Sequence, residues 1–121
     1  MINEIKRIVK EAGGEIIKIY KSNDYYINYK SDNSPVTKAD KISNEIIRRE
    51  LFKAFDYPII SEEEPVKYEE RINWVRFFLI DPLDGTKNFI SKNGEFSINI
   101  ALIEKNKPIL GVVYNPLNKD I

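Results

Sequence analysis

Apolar residues at Ile5, Ile8, Val9, Ala12, Ile16, Ile19 and Tyr20 recur at helical spacing, with Lys, Arg and Glu between them. This stripe predicts an amphipathic helix from Ile2 to about Tyr20, slightly strained by Gly13-Gly14. The stretch "KSNDYYINYKSDNSPV" that follows is rich in turn formers and tyrosine, and predicts a short hairpin or an irregular loop. Helical spacing returns in "SPVTKADKISNEIIRRELFKAF". There Thr37 stands as an N-cap with Asp40 three residues on, a capping-box-like pair ahead of an apolar stripe of Ile42, Ile46, Ile47, Leu51, Ala54 and Phe55.

Beyond Phe55 the period shortens. "YPIIS", "NWVRFFLID", "EFSINIALIE" and "KPILGVVYN" are short, β-branched and aromatic, and the third alternates Phe96, Ile98, Ile100 and Leu102 against Ser97, Asn99, Ala101 and Ile103. A tight turn at Lys105-Asn106 joins the last two segments as a hairpin. The order helix, loop, helix, strands predicts a layered α+β domain, with two helices packed on a mostly antiparallel sheet, and not a repeating βαβ fold. No internal repeat, low-complexity tract or linker interrupts it. The segment "GVVYNPLNKDI" brings no further element to cover the sheet of that hairpin, so the chain reads as truncated. An exposed sheet edge is expected, which leaves self-association through that edge open.

Composition narrows the chemistry. A chain of 121 residues with 42% hydrophobic content builds one domain around one core. Its 19 acids balance 19 bases, which argues against a nucleic-acid polymer as partner and against a basic membrane-binding face. The absence of cysteine excludes a disulfide scaffold and a thiolate metal site. The absence of histidine removes the commonest general base and most zinc sites. Any catalysis therefore rests on carboxylates, hydroxyls, lysines or a hard metal such as Mg²⁺. The first twenty residues lack the apolar core of a signal peptide, and no run reaches transmembrane length. A soluble, cytoplasmic protein is expected.

Acids gather at the ends of the predicted elements: Asp40 opening the second helix, Glu62-Glu63-Glu64 after "YPIIS", and Asp81 with Asp84 after "FFLI". Taken alone, Asp81 could simply end a strand and Asp84 begin an Asp-Gly turn. The continuation adds to this, because Gly85-Thr86 and "TKNFI" can open a short helix whose free N–H groups point at the same spot. Carboxylates beside an anion-accepting helix end suit a dication with a phosphate between them. A triple glutamate is usually a solvated face, and only one of the three need turn inward. Asp40 is sufficiently explained as a cap. Lys38 and Lys87 can meet phosphate oxygens, although solvated lysines are the commoner case. Trp74, Tyr25, Tyr26 and Tyr29 are assigned to core or loop packing.

"DPLDGTKNF" resembles the metal-binding signature of the inositol monophosphatase superfamily. With "SPVTKAD", "SEEE" and "NGEFSINIALIEKNKPILGVVYNP", the chain is similar to the CysQ-type branch of 3′(2′),5′-bisphosphate nucleotidases over about Ile5 to Asn118. The resemblance implies a layered α/β sugar-phosphatase fold and Mg²⁺ as cofactor. It implies that Glu62 and Asp81 hold a first metal, and that Asp81, Asp84 and the Leu83 carbonyl hold a second. A metal-bound water would be oriented by the Thr86 hydroxyl and Asp40, and the Gly85 and Thr86 N–H groups would hold the phosphate. The implied activity is removal of the 3′-phosphate of 3′-phosphoadenosine 5′-phosphate to give AMP. Asn88 stands where such nucleotidases usually carry Glu, as in the inositol phosphatases, so an inositol or sugar monophosphatase is the alternative. Residues 1–121 would be the N-terminal metal-binding part, without the second domain and its Trp-Asp motif. A non-catalytic remnant is therefore a further alternative.

Overall fold

In the computed structural model, which describes residues 1–121, the first apolar stripe forms α1 (Ile2–Ser22). Ile5, Ile8, Val9, Ala12 and Ile16 are wholly buried, and Asn23 ends the helix in the left-handed conformation. The tyrosine-rich stretch forms a minimal antiparallel hairpin, β1 (Asn28–Tyr29) with β2 (Pro35–Val36). Thr37 then caps α2 (Lys38–Phe55) through a complete capping box: its hydroxyl accepts from the Ala39 N–H, and Asp40 accepts from the Thr37 N–H. Ala54, expected in the buried stripe, is exposed. At that end of the helix Phe55 makes the inward contact instead, its ring 5.5 Å from Phe78 and 6.3 Å from Tyr57.

The strands are β3 (Ile59–Ser61), β4 (Arg76–Asp84), β5 (Ser97–Glu104) and β6 (Lys107–Tyr114), paired in that order. Only β3–β4 is parallel, so the sheet is mostly antiparallel. Two short helices intervene: α3 (Tyr68–Arg71) before β4 and α4 (Thr86–Ser91) after it. Lys105 and Asn106, both at positive φ, close the β5–β6 hairpin. Alternation along the strands sorts the two faces. Phe78, Ile80, Ile98, Ile100, Leu102, Val112 and Tyr114 are buried on the inner face, in one core with α1 and α2. On the outer face Leu79 and Val113 are 42% and 62% exposed. The apolar outer face is thus uncovered, and β3 and β6 are the two edges of the sheet.

The two adjacent glycines of α1 differ in purpose. A Cβ on Gly13 would lie 2.7 Å from Tyr114 Cε2 and 3.1 Å from Pro116 Cβ, so glycine here lets the end of β6 pack onto the helix. A Cβ on Gly14 would meet nothing within 4 Å. Gly14→Ala should therefore stabilise the protein by about 0.5–1 kcal/mol, through helix propensity alone. Gly13→Ala should destabilise it by about 1 kcal/mol, since crowding of the order of 1–3 kcal/mol exceeds that same gain. Denaturant midpoints of the two variants check both signs.

Candidate metal centre

In a regular strand, residues three apart face opposite sides of the sheet, which would send Asp81 and Asp84 in different directions. The structure solves this with a β-bulge. Asp81 pairs with Asn99 and Asp84 with Ser97, so three steps along β4 oppose two along β5. The extra residue returns Asp84 to the outer face, on the same side as Asp81. Where a turn is suggested by the Asp-Pro-Leu-Asp sequence, the chain stays extended to Asp84 and turns only at Gly85 (φ 87°). Pro82 fits because β3 pairs with β4 only as far as Ile80 and the ladder to β5 shifts beyond Asp81, so no ladder N–H is lost. The Pro82 carbonyl accepts from the buried Ser43 hydroxyl at 2.8 Å.

The acids come from two other places as well. The parallel pairing of β3 with β4 carries Glu62 to the level of Asp81, with the Glu62 N–H donating to the Ile80 carbonyl at 3.2 Å. The glutamate run divides its labour. Glu63 pairs with Lys30 at 3.2 Å, and Glu64 takes a hydrogen bond from Asn44 at 2.8 Å, while the Glu62 carboxylate has no hydrogen-bond or ion-pair partner. Asp40, almost wholly buried, accepts at Oδ2 from the Thr37 N–H and hydroxyl, both at 2.7 Å. Its Oδ1 accepts from the Thr86 hydroxyl at 2.9 Å, which joins the start of α2 to the start of α4. The same hydroxyl lies 3.4 Å from the Leu83 carbonyl.

One cleft of about 410 Å³ is lined by part of this set, together with Gly85, Lys87 and Asn88, while Asp40 lies behind it and meets it through Thr86. Asp81, Asp84, Leu83, Thr86 and Glu62 all border it. Burial, then the charges of Asp84, Glu62 and Asp40, push the Asp81 carboxyl up to about 6. Burial also holds Asp40 above the usual carboxylate range, outweighing its hydrogen bonds from Thr37 and Thr86. Like charges crowded around a half-buried carboxylate are unfavourable without a cation. All the donors are hard oxygens, which suits a hard divalent cation. No three acidic side chains are arranged to enclose an ion by themselves, so the Leu83 carbonyl, water or a ligand oxygen would complete any shell.

Other cleft residues have structural duties. Asn88 donates from Nδ2 to the Glu95 carbonyl at 3.0 Å and accepts from Asn93 at 2.8 Å, bracing the loop after α4. That loop approaches so closely that a Cβ on Gly85 would lie 2.7 Å from the Glu95 carbonyl, which with its positive φ reserves the position for glycine. Lys38 sits 5.4 Å above the Tyr26 ring and does not line the cleft. Tyr25 packs on Phe89, whereas Tyr26 and Tyr29 are exposed. Asn99, which the sequence does not single out, donates to Asp84 at 3.2 Å. Its pairing with Asp81 follows from the strand register and is invisible in the sequence spacing.

An α+β layer that gathers oxygen donors at a strand bulge, beside a short helix, is a framework for meeting an anion through a hard cation. The whole chain, residues 1–121, matches the inositol monophosphatase family, and the chain belongs to that family. It is 47% identical over 118 residues to the 3′(2′),5′-bisphosphate nucleotidase CysQ of Buchnera aphidicola, covering 96% of this chain and 44% of that protein. With CysQ of Escherichia coli K12 the identity is 45% over 119 residues, covering 97% and 48%. Among solved structures, CysQ from Bacteroides thetaiotaomicron superposes with a TM-score of 0.76 at 40% identity, covering 95% of this chain and 42% of that one. The extragenic suppressor protein suhB from Bartonella henselae superposes with a TM-score of 0.87 at 31% identity, covering 98% and 46%. The chain spans about half the length of the curated relatives it matches. No helix is long and apolar enough to cross a membrane.

Proposed function

We propose that these 121 residues are the N-terminal, metal-bearing part of a Mg²⁺-dependent phosphomonoesterase. Its substrate is 3′-phosphoadenosine 5′-phosphate, from which water displaces the 3′-oxygen at phosphorus to give AMP and phosphate. The observation that supports this best is the bulge-placed pair Asp81 and Asp84 facing Glu62 across one cleft, in a chain close in sequence to nucleotidases. In this reading Glu62 and Asp81 hold one ion, and Asp81, Asp84 and the Leu83 carbonyl hold another. Bound there, Mg²⁺ would acidify water and neutralise the charge that gathers on the transferred phosphoryl group. Thr86, with its hydroxyl proton committed to Asp40, presents its oxygen to the attacking water and orients it. The Gly85 and Thr86 N–H groups meet the phosphate at the start of α4. A cytoplasmic setting suits the nucleotide substrate and the cysteine-free sequence.

The specific feature favouring an inositol monophosphate substrate is Asn88, and both ends of its amide hold the loop, at Asn93 and Glu95. That loop contact explains the asparagine without reference to substrate. The native gene product, assayed with Mg²⁺, should show a higher kcat/KM for phosphate release from 3′-phosphoadenosine 5′-phosphate than from inositol monophosphate. The opposite order would overturn the nucleotide assignment and leave the phosphatase assignment standing. Release from neither substrate would favour a non-catalytic chain.

A further inference from the structure

The chain buries only five polar or charged side chains: Thr37, Asp40, Ser43, Asn44 and Ser61. None of the five lines the cleft itself; they lie behind it, hydrogen-bonded toward the segments that do. Four of them fall on one face of α2 or its cap, at positions 37, 40, 43 and 44, the spacing of adjacent helical turns. Thr37 stays within the cap, and the other three each reach a different segment. Asp40 holds Thr86 at the start of α4, and Ser43 donates to the Pro82 carbonyl inside the β4 bulge at 2.8 Å. Asn44 accepts from the Ser61 hydroxyl at 2.6 Å and donates to Glu64 at 2.8 Å. Ser61 in turn accepts from the Glu63 N–H at 3.2 Å, so this chain of hydrogen bonds grips the turn that carries Glu62 from both sides. Apolar side chains at 43, 44 and 61 would continue the surrounding core with no desolvation cost, whereas buried polar groups stabilise a fold little. What they do provide is a fixed geometry.

We propose that Ser43 and Asn44 are positioning residues. Through Pro82 and Ser61 they make one helix face of α2 the gauge that sets the Glu62 turn and the Asp81–Asp84 bulge at a fixed separation. The assignment rests on the reading of Glu62, Asp81 and Asp84 as cation ligands. Neither Ser43 nor Asn44 touches a ligand itself.

The test compares Asn44→Ala with the double variant Asn44→Ala/Ser61→Ala, using Mn²⁺ titration, thermal melts and amide hydrogen exchange. The single variant leaves the buried Ser61 hydroxyl without its acceptor, and the double variant removes that orphan and should recover much of the lost stability. Mn²⁺ affinity should fall about 10–100-fold in both, as for other groups that orient metal ligands. Recovery of affinity along with stability in the double variant, or unchanged affinity in either, would overturn the proposal. If the unaltered protein takes up no Mn²⁺, the cation-ligand reading fails, and amide exchange decides the gauge separately. Faster exchange confined to the Glu62 and Glu63 amides upholds it; uniform acceleration, or none, refutes it.

Discussion

Asp81→Asn should make the cation-free protein more stable at neutral pH and, at the same time, abolish its response to divalent cations. Burial and the charges of Asp84, Glu62 and Asp40 raise the Asp81 carboxyl to about 6 in the folded chain. In the unfolded chain it titrates near ~3.9. Below about pH 4 both states are protonated and the site costs nothing. Between about pH 4 and about 6 the unfolded state gives up its proton first, so stability falls as pH rises. Above that window the full cost is present, on the order of 2 kcal/mol after allowance for partial exposure. Asparagine keeps an oxygen for the Leu83 N–H, which lies 3.3 Å from Asp81 Oδ1, and removes the charge. The gain at pH 7.5 should raise the melting temperature by several degrees, on the order of ~4 °C per kcal/mol, and vanish near pH 4.

In the unaltered protein, Mg²⁺ or Mn²⁺ should stabilise at pH 7.5 and lose that effect as acid returns the proton to Asp81. The variant should show no such stabilisation, and its phosphate release should fall to background. Asp84→Asn shares the cation defect with a smaller stability gain, because Asp84 is itself exposed and only its repulsion of Asp81 is relieved. Melts of both variants with and without Mn²⁺ decide the matter. A cation-induced shift in Asp81→Asn equal to that of the unaltered protein would remove Asp81 from the ligand set.

The parts of the fold with strong local periodicity were legible in the sequence. The stripe of α1, the capping box of α2, the alternation of β5 and the turn at Lys105-Asn106 each rest on residues whose spacing is their own signal. The bulge was not. "DPLDG" offers both proline and Asp-Gly as turn formers, and only the shorter reach of β3 and the shifted register of β5 show why β4 runs on through Pro82. Ser43, Asn44 and Ser61 were likewise unreadable. Ser43 and Asn44 interrupt an apolar stripe that predicts the same helix without them, Ser61 merely ends β3, and the partners they find lie 39, 17 and 20 residues away in sequence. The glutamate run sorted itself by neighbours, Lys30 and Asn44, that no local pattern names. What was legible in the site were the acids at the ends of elements. Their convergence depends on pairing, which sequence spacing does not contain.

The Asp40–Thr86 hydrogen bond allows the capping duty of Asp40 to be separated from its chemical one. Asp40→Asn retains an oxygen for the Thr37 N–H, so the cap survives and the loss of stability should stay within about 1 kcal/mol. Turned to keep that contact, the amide presents a donor to Thr86 where the carboxylate presents an acceptor, and the hydroxyl proton must point elsewhere. A water oriented by Thr86 then loses its acceptor, and phosphate release should drop by about 10²–10⁴-fold. Thr86→Val, which removes the hydroxyl at nearly constant shape, should cost about as much. The double variant should be little worse than either, because groups acting as one unit are strongly non-additive. Thr86→Ser should recover most of the rate. Neither Asp40→Asn nor Thr86→Val should weaken Mn²⁺ binding, since neither side chain is a ligand in this reading. Comparing kcat/KM with Mn²⁺ affinity across the set tests the division of labour. A Thr86→Val protein with undiminished turnover would show that the bond merely ties α2 to α4, and that water is oriented by some other group.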